Sequence, residues 1–296
     1  MLEFLAALPT LPISPEIGVL VSGLIISTAT ALIVLIRNRG ALRGEEEADD
    51  IGNMGAILDN PASLMPHLVE LRNRIIYAVI ALGVGIVAGW LIADPVLRAL
   101  AAQIDGGLDS LIAIGVTEPF RVYFRIAIVL GVILAFPYIV AQLWVFIGAG
   151  LKQTERRVFY LLFPFAVALF ITGVTFAYIV MLPVALPFLI NFGSVQATPT
   201  LDDFVRFVTA VLLAVGLSFE MPLISFALSR LGIINAKMLA ENWRIAVVGL
   251  TVFAAIVTPT PDPLNMALVV LPLCVLYVLS IGMAALARRG RAAAES

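Results

Sequence analysis

VRFVTAVLLAVGLSFEMPLISFAL, residues 205–228, decides the fold. It is longer than the roughly 20 apolar residues that cross a hydrocarbon core of about 30 Å. A helix is the one single-segment form that satisfies its own backbone there. Near its middle stands Glu220. A carboxylate at such a position costs about 2.5–3.5 kcal/mol on insertion scales and marks a functional position by default. Pro222 follows two residues later and removes a backbone donor. A chain that keeps an acid and a broken ladder at one depth is built to receive something polar there.

Working outward, the same apolar character recurs. Hydrophobic residues make up 61% of the 296 positions and charged residues 13%, where a soluble domain carries about 25% charge. The chain reads as an all-α polytopic membrane protein. Spans are expected at Ile17–Ile36, Ile75–Ala93, Ile126–Ile147, Val158–Val180, Phe204–Leu228 and Leu264–Ala287, with a shorter one at Ile245–Val257. At 1.5 Å per residue the short segment reaches only about 20 Å. The bilayer must thin there, or the span must stop short of one face.

The basic residues orient these seven segments. One side collects Arg37, Arg39, Arg43, Arg72, Arg74, Lys152, Arg156, Arg157, Arg230, Lys237, Arg244, Arg288, Arg289 and Arg291. The other holds Arg98, Arg121, Arg125 and Arg206. The positive-inside rule makes the first side cytoplasmic. The N-terminus then lies outside and the C-terminus inside. The first apolar run is followed, not preceded, by its positive cluster, so it reads as an uncleaved anchor.

Residues 1–43 form this anchor and its basic stop, and 44–62 an acidic cytoplasmic linker. A six-span body occupies 63–287, with a tail at 288–296. The linker's Glu45, Glu46, Glu47, Asp49 and Asp50 read as a solvated spacer. Within the outer loop at 94–120, Leu97–Ile104 is expected as a short surface helix. The segment Pro187–Asp203 reads as a polar, turn-rich outer loop. Pro137, Pro164, Pro222 and Pro272 lie inside spans, and each frees a carbonyl that must face protein, water or a ligand.

Several activities are excluded by what is missing. There is no G-x-x-x-x-G-K-[ST] loop for nucleotide phosphates. The single histidine, His67, sits at the cytoplasmic edge without an H-E-x-x-H or a G-x-S-x-G motif. Cys274 stands alone, so neither an internal disulfide nor a thiolate metal site can form. The chain reads as no enzyme, with no cofactor and no metal.

What remains is a set of acids and arginines on one face. SLMPHLVELRNR (63–74) places Glu70 one turn beyond Pro66, with Arg72 and Arg74 following at the membrane edge. Arg74 reads well as a snorkelling residue. Glu70 does not, because an acid at the inner face gains nothing from anionic lipid. In KQTERR (152–157), Glu155 either pairs locally with Lys152 or Arg156 or serves a site.

HLVELRNR (67–74), PYIVAQLWVF (137–146), KQTERR (152–157), SFEMP (218–222) and TPTPD (258–262) together resemble TatC, a component of the Sec-independent twin-arginine protein translocase. The resemblance runs from about Ser63 to Ala287. It implies a six-helix, glove-shaped bundle with a concave face, to which this chain adds one N-terminal transmembrane helix. It also implies a receptor in the plasma membrane that reads the twin-arginine motif of export signals and scaffolds export of folded proteins, driven by the proton-motive force. Glu70 and Glu155 match signal-recognition positions, and Arg72 a position that supports them. His67, Gln142 and Phe146 would shape the pocket. Carboxylates suit this task because they form paired, oriented bonds with guanidinium groups, whereas lysine offers only a point charge.

The resemblance also places Glu220 on the concave face, beside Pro222, to hydrate a groove or meet a polar group on a neighbouring subunit. A protonated carboxyl donating to a nearby carbonyl is the bland alternative. Asp262, at the outer tip, and Glu118, Pro119 and Phe120 in TEPF are turn residues first and partner contacts second. Met266 departs from the family, where a glutamine is usual, and Asn265 is the polar residue beside it. The implied partners are single-span subunits of the TatA and TatB type, twin-arginine signals, lipid and further copies of the chain, with no nucleic acid. A secondary transporter using Glu220 as its coupling acid is the rival reading, against which stands the missing inverted repeat.

Overall fold

The computed structural model describes residues 15–38, 64–149, 153–190, 199–258 and 263–295. The acidic linker expected at 44–62 lies outside the described residues. The chain runs through α1 (Pro15–Asn38), α2 (Leu64–Leu91), the short α3 (Ala93–Ala101) and the long α4 (Glu118–Ala149). Then come α5 (Gln153–Phe176), a π turn (Ala177–Met181), α6 (Leu182–Ile190), α7 (Leu201–Ser218) and α8 (Met221–Arg230). The small α9 (Ala236–Glu241), α10 (Trp243–Val257) and α11 (Pro263–Glu295) complete it. Among the described residues, five stretches are long and apolar enough to cross a membrane, and two shorter apolar helices, Gly23–Ile36 and Trp243–Val257, join them. These seven are the segments expected from sequence. α10 has 15 residues, about 22 Å of rise.

Three boundaries differ from expectation, each for a local reason. The span expected to end at Val180 continues to Ile190. Pro183 lacks the N–H for an ordinary helical turn, and the π turn just before it resets the register, with Leu182 donating to Ala177 five residues back. Pro187 therefore lies inside a helix and not in a loop. The short helix expected on the surface at Leu97–Ile104 instead begins at Ala93 and buries Ala93, Leu97, Leu100 and Ala101. Pro95 falls in its first turn, where a missing N–H removes no helical bond. The last helix continues through the expected tail to Glu295.

The central helices are α4 and α7, the most buried of the long apolar segments. Val205, Val208, Val211 and Val215 of α7 pack in one cluster with Val122, Ile126 and Leu130 of α4 and Leu97 of α3. Lipid offers no hydrophobic drive between helices, so close packing must hold them. The α2–α4 contact shows how. A β-carbon at Gly85 would lie 2.6 Å from the Gly131 carbonyl oxygen, and one at Gly89 2.6 Å from that of Ala127. Gly85–Gly89 and Ala127–Gly131 are matching pairs of small residues four apart, which let the two backbones touch.

α1 packs on the body, chiefly against α4. A β-carbon on Gly23 would meet Leu134 at 2.9 Å. Nearer its end, Ala31 and Leu35 share a buried cluster with Ala141, Trp144 and Val145 of α4 and Leu162, Phe163 and Ala166 of α5. Residue numbers on α1 and α4 rise together, so the helices run parallel. The opposite flank of α1 exposes Ile25, Ile26, Leu32 and Ile33.

Candidate functional site

The first group of polar side chains lies where α2 begins and α4 ends. Glu70 and Arg74 are one turn apart on α2, the acid on the N-terminal side, which is the favoured order for such a pair. Arg74 Nη2 donates to Glu70 Oε1 at 3.1 Å. Its Nη1 donates to Oε1 of Gln142 on α4 at 3.2 Å. Gln142 is 3% exposed, so its amide oxygen needs a donor, and Arg74 supplies one. The Glu70 side chain stays one-third exposed. Its Oε2 takes no bond among the described residues, so one carboxylate oxygen is held and the other is left for a further donor.

Arg72, expected to orient an acid of the site, is exposed and donates to Asn73 Oδ1 at 3.3 Å. The guanidinium on Glu70 belongs to Arg74, which sequence reasoning read as a snorkelling residue. The i,i+4 spacing to Glu70 was the available signal, but Gln142 lies 68 positions away and no local pattern announces it. Phe146 is partly buried one turn beyond Gln142. Glu155 lies in the first turn of α5 and His67 in the first turn of α2; both side chains lie outside the described residues.

The second group lies deep, where α7 gives way to α8. The ladder breaks there as expected. Phe219 N–H still reaches Val215, Glu220 N–H turns back three residues to Leu217, and Ile224 N–H resumes on Glu220. Pro222 sits in the first turn of α8, where its ring is tolerated. Phe219 fits because residue 173 is glycine. A β-carbon there would lie 2.8 Å from the ring, which tilts against Phe176 at 5.6 Å. Glu220 is 9% exposed. Its Oε1 is enclosed without a hydrogen-bond partner among the described residues, an arrangement that carries a desolvation cost.

The third group is at the far end. Glu118 is buried and spans two elements. Its Oε2 accepts from Ile114 N at 2.8 Å and Gly115 N at 3.0 Å, and its Oε1 accepts from Asp202 N at 2.9 Å. The turn chemistry was expected; the bond to the start of α7 was not. Asp202 in turn accepts from Arg125 at 3.2 Å and Arg206 at 3.0 Å. A backbone bridge joins Ile112 and Thr200 nearby. Pro119 and Phe120 are exposed, and Phe120 stacks on Phe124 with ring centroids 6.2 Å apart. Tyr123 donates to Asp94 at 2.6 Å. Asp94 also accepts from Arg98 at 2.8 Å. These two bonds, Arg98's first, hold the Asp94 carboxyl below its ordinary range. Asp262 lies outside the described residues. Met266 is partly buried early in α11.

Comparison with known proteins adds a consistent set of likenesses. Residues 66–272 match the family described as TatC, Sec-independent protein translocase protein. A Sec-independent protein translocase protein TatC from Deinococcus radiodurans is 38% identical over 231 residues, covering 74% of this chain and 84% of that one. One from Carboxydothermus hydrogenoformans is 36% identical over 228 residues, covering 76% and 94%. Among solved structures, a twin-arginine translocase receptor TatC is 36% identical with a TM-score of 0.68, covering 75% of this chain and 99% of that one.

Proposed function

The chain belongs to the TatC family, and on that premise we propose that it is the receptor and core subunit of a twin-arginine translocase. It is a translocase component, not an enzyme. Glu70 and Glu155 grip the two guanidinium groups of an export leader at the inner rim. Arg74, itself bonded to Gln142, holds one oxygen of Glu70 and leaves the second for the incoming arginine. The observation that carries this reading is the half-engaged Glu70 carboxylate where α2 begins and α4 ends. Charge-assisted bonds of this kind are the strong, oriented ones.

The chain would reside in the plasma membrane with its N-terminus outside and both ends of the body in the cytoplasm. It would work with single-span subunits of the TatA and TatB type and with further copies of itself, drawing on the proton-motive force. Glu220 would meet a polar group of a partner or hydrate a groove.

The test is binding of a twin-arginine peptide to the purified chain in nanodiscs. Glu70→Ala and Glu155→Ala each weaken it by about tenfold or more, the scale of a charged hydrogen bond, while a twin-lysine control changes little. Equal losses for both peptides would reduce the site to generic charge. The enclosed, unpartnered Glu220 oxygen keeps one rival in play, a transporter coupled through that acid. Ion-coupled uptake in liposomes holding this chain alone, abolished by Glu220→Gln, would establish the rival.

A further inference from the structure

α1 lies outside the region that matches the family, which begins at residue 66. The solved receptor is covered almost end to end by three-quarters of this chain. α1 is therefore an addition laid onto a body that folds in relatives, and where it lies is informative. Ala31 and Leu35 are 0% and 4% exposed, packed with Ala141, Trp144 and Val145. That one turn of α4 also carries Gln142, the residue that holds Arg74 and through it Glu70. Leu24, one end of the same flank, packs with Val129, Ile133 and Phe136 of α4 and Phe170 of α5. α1 thus covers an apolar strip on α4 and α5 that ends beside the Glu70 cluster.

The way α1 is held matters as much as its place. Its hydroxyls close on its own backbone: Thr28 donates to Leu24 O at 2.7 Å, and Thr30 to Ser27 O and Ile26 O at 2.9 and 3.0 Å. The packed side of α1 includes Gly23, Leu24, Ala31, Val34 and Leu35, small or apolar residues. Packing of this kind is specific in shape but carries no demand for a particular polar partner.

Resting on the receptor reading above, we propose that α1 is a resident, exchangeable occupant of this α4–α5 strip, and that the apolar stretch of a twin-arginine leader displaces it. The arginine pair engages Glu70 whether α1 is docked or not. The apolar stretch docks only when α1 has moved. α1 then lowers the apparent affinity for a complete leader by the fraction of chains in which the strip is vacant.

The test compares two peptides on the full chain in nanodiscs: a complete leader, and one truncated just after its two arginines. Leu35→Ala loosens α1 without adding bulk, and deletion of residues 1–43 removes it. Both changes are expected to raise affinity for the complete leader by about tenfold, on the occupancy argument, and to leave the truncated peptide unchanged. A photo-crosslinker on the leader's apolar stretch should reach Trp144 or Val145 more efficiently in both variants. Equal affinity of the complete leader for the parent and both variants overturns the proposal. So does weaker binding of the complete leader after deletion, since α1 would then be part of the site. Failure of both peptides to bind any version, parent included, removes the receptor reading and this inference with it.

Discussion

At the scale of single residues, the inner cluster shows how one arginine can prepare an acid to bind another. Arg74 uses two nitrogens, one on Glu70 and one on Gln142, and its planar fork fixes both. Lysine cannot do this from a single point. Arg74→Lys should therefore weaken twin-arginine peptide binding by about three- to tenfold, the worth of one hydrogen bond, while leaving thermal stability nearly unchanged. Isothermal titration beside a melting curve separates the two. Asp94 offers a pH readout at the opposite end. Its folded pKa is lowered by Arg98 and Tyr123, so its contribution is complete above the ordinary carboxylate range of about 4 and is lost as pH falls below it. After correction for the slower intrinsic exchange in acid, protection of the α3 amides should fall between pH 5 and pH 3 (roughly that window,), and Asp94→Asn should show the lower protection at both values.

At the scale of helices, small residues decide which pairs can touch. Gly131→Ala puts a methyl 2.6 Å from an Ile86 side-chain carbon and 2.7 Å from the Ile86 nitrogen. Backbone cannot give way like a side chain, so a loss of about 1–3 kcal/mol is expected, the range for an overpacked core. Gly83 and Gly249 have open space where a β-carbon would go. Gly83→Ala and Gly249→Ala should be neutral or stabilising by up to about 1 kcal/mol from helix propensity. Thermal unfolding in one detergent across the three variants checks the contrast. Gly173→Ala adds a separate case, because its methyl would press on Phe219 beside the break that holds Glu220.

At the scale of the whole molecule, the segment count followed from apolar length alone, because lipid leaves few other solutions for a chain with 13% charge. The break at Phe219–Glu220 was readable from Pro222 next to an acid. The continuation to Ile190 was not, since Pro187 read as the start of a turn-rich loop, whereas the helix runs on through Pro187 after the π turn at Ala177–Met181. Of the inner site, Glu70 was legible as an acid with no local reason to be there. Its support by Gln142 was not, for that contact depends on how α2 and α4 cross. Glu118 showed the same limit: its turn was visible in TEPF, while its bond to Asp202 joins positions 84 apart. Replacing it tests the join. Glu118→Gln keeps the shape but loses the charge that three backbone donors face, so amides near Ile112–Gly115 and Leu201–Asp203 should exchange several-fold faster, the sign of a local opening.

Those joins lie at one end. Glu118 to Asp202, Arg125 to Asp202 and Ile112 to Thr200 all stitch α4 or its approach to the start of α7. Near the other end of α4, the bond from Arg74 to Gln142 runs to α2 and not to α7 or α8. The bundle is therefore riveted by polar bonds at the Glu118 end, while at the other end α4 meets α8 through apolar packing alone among the described residues, Ala141, Trp144 and Val145 sharing a buried cluster with Leu223 and Ala227.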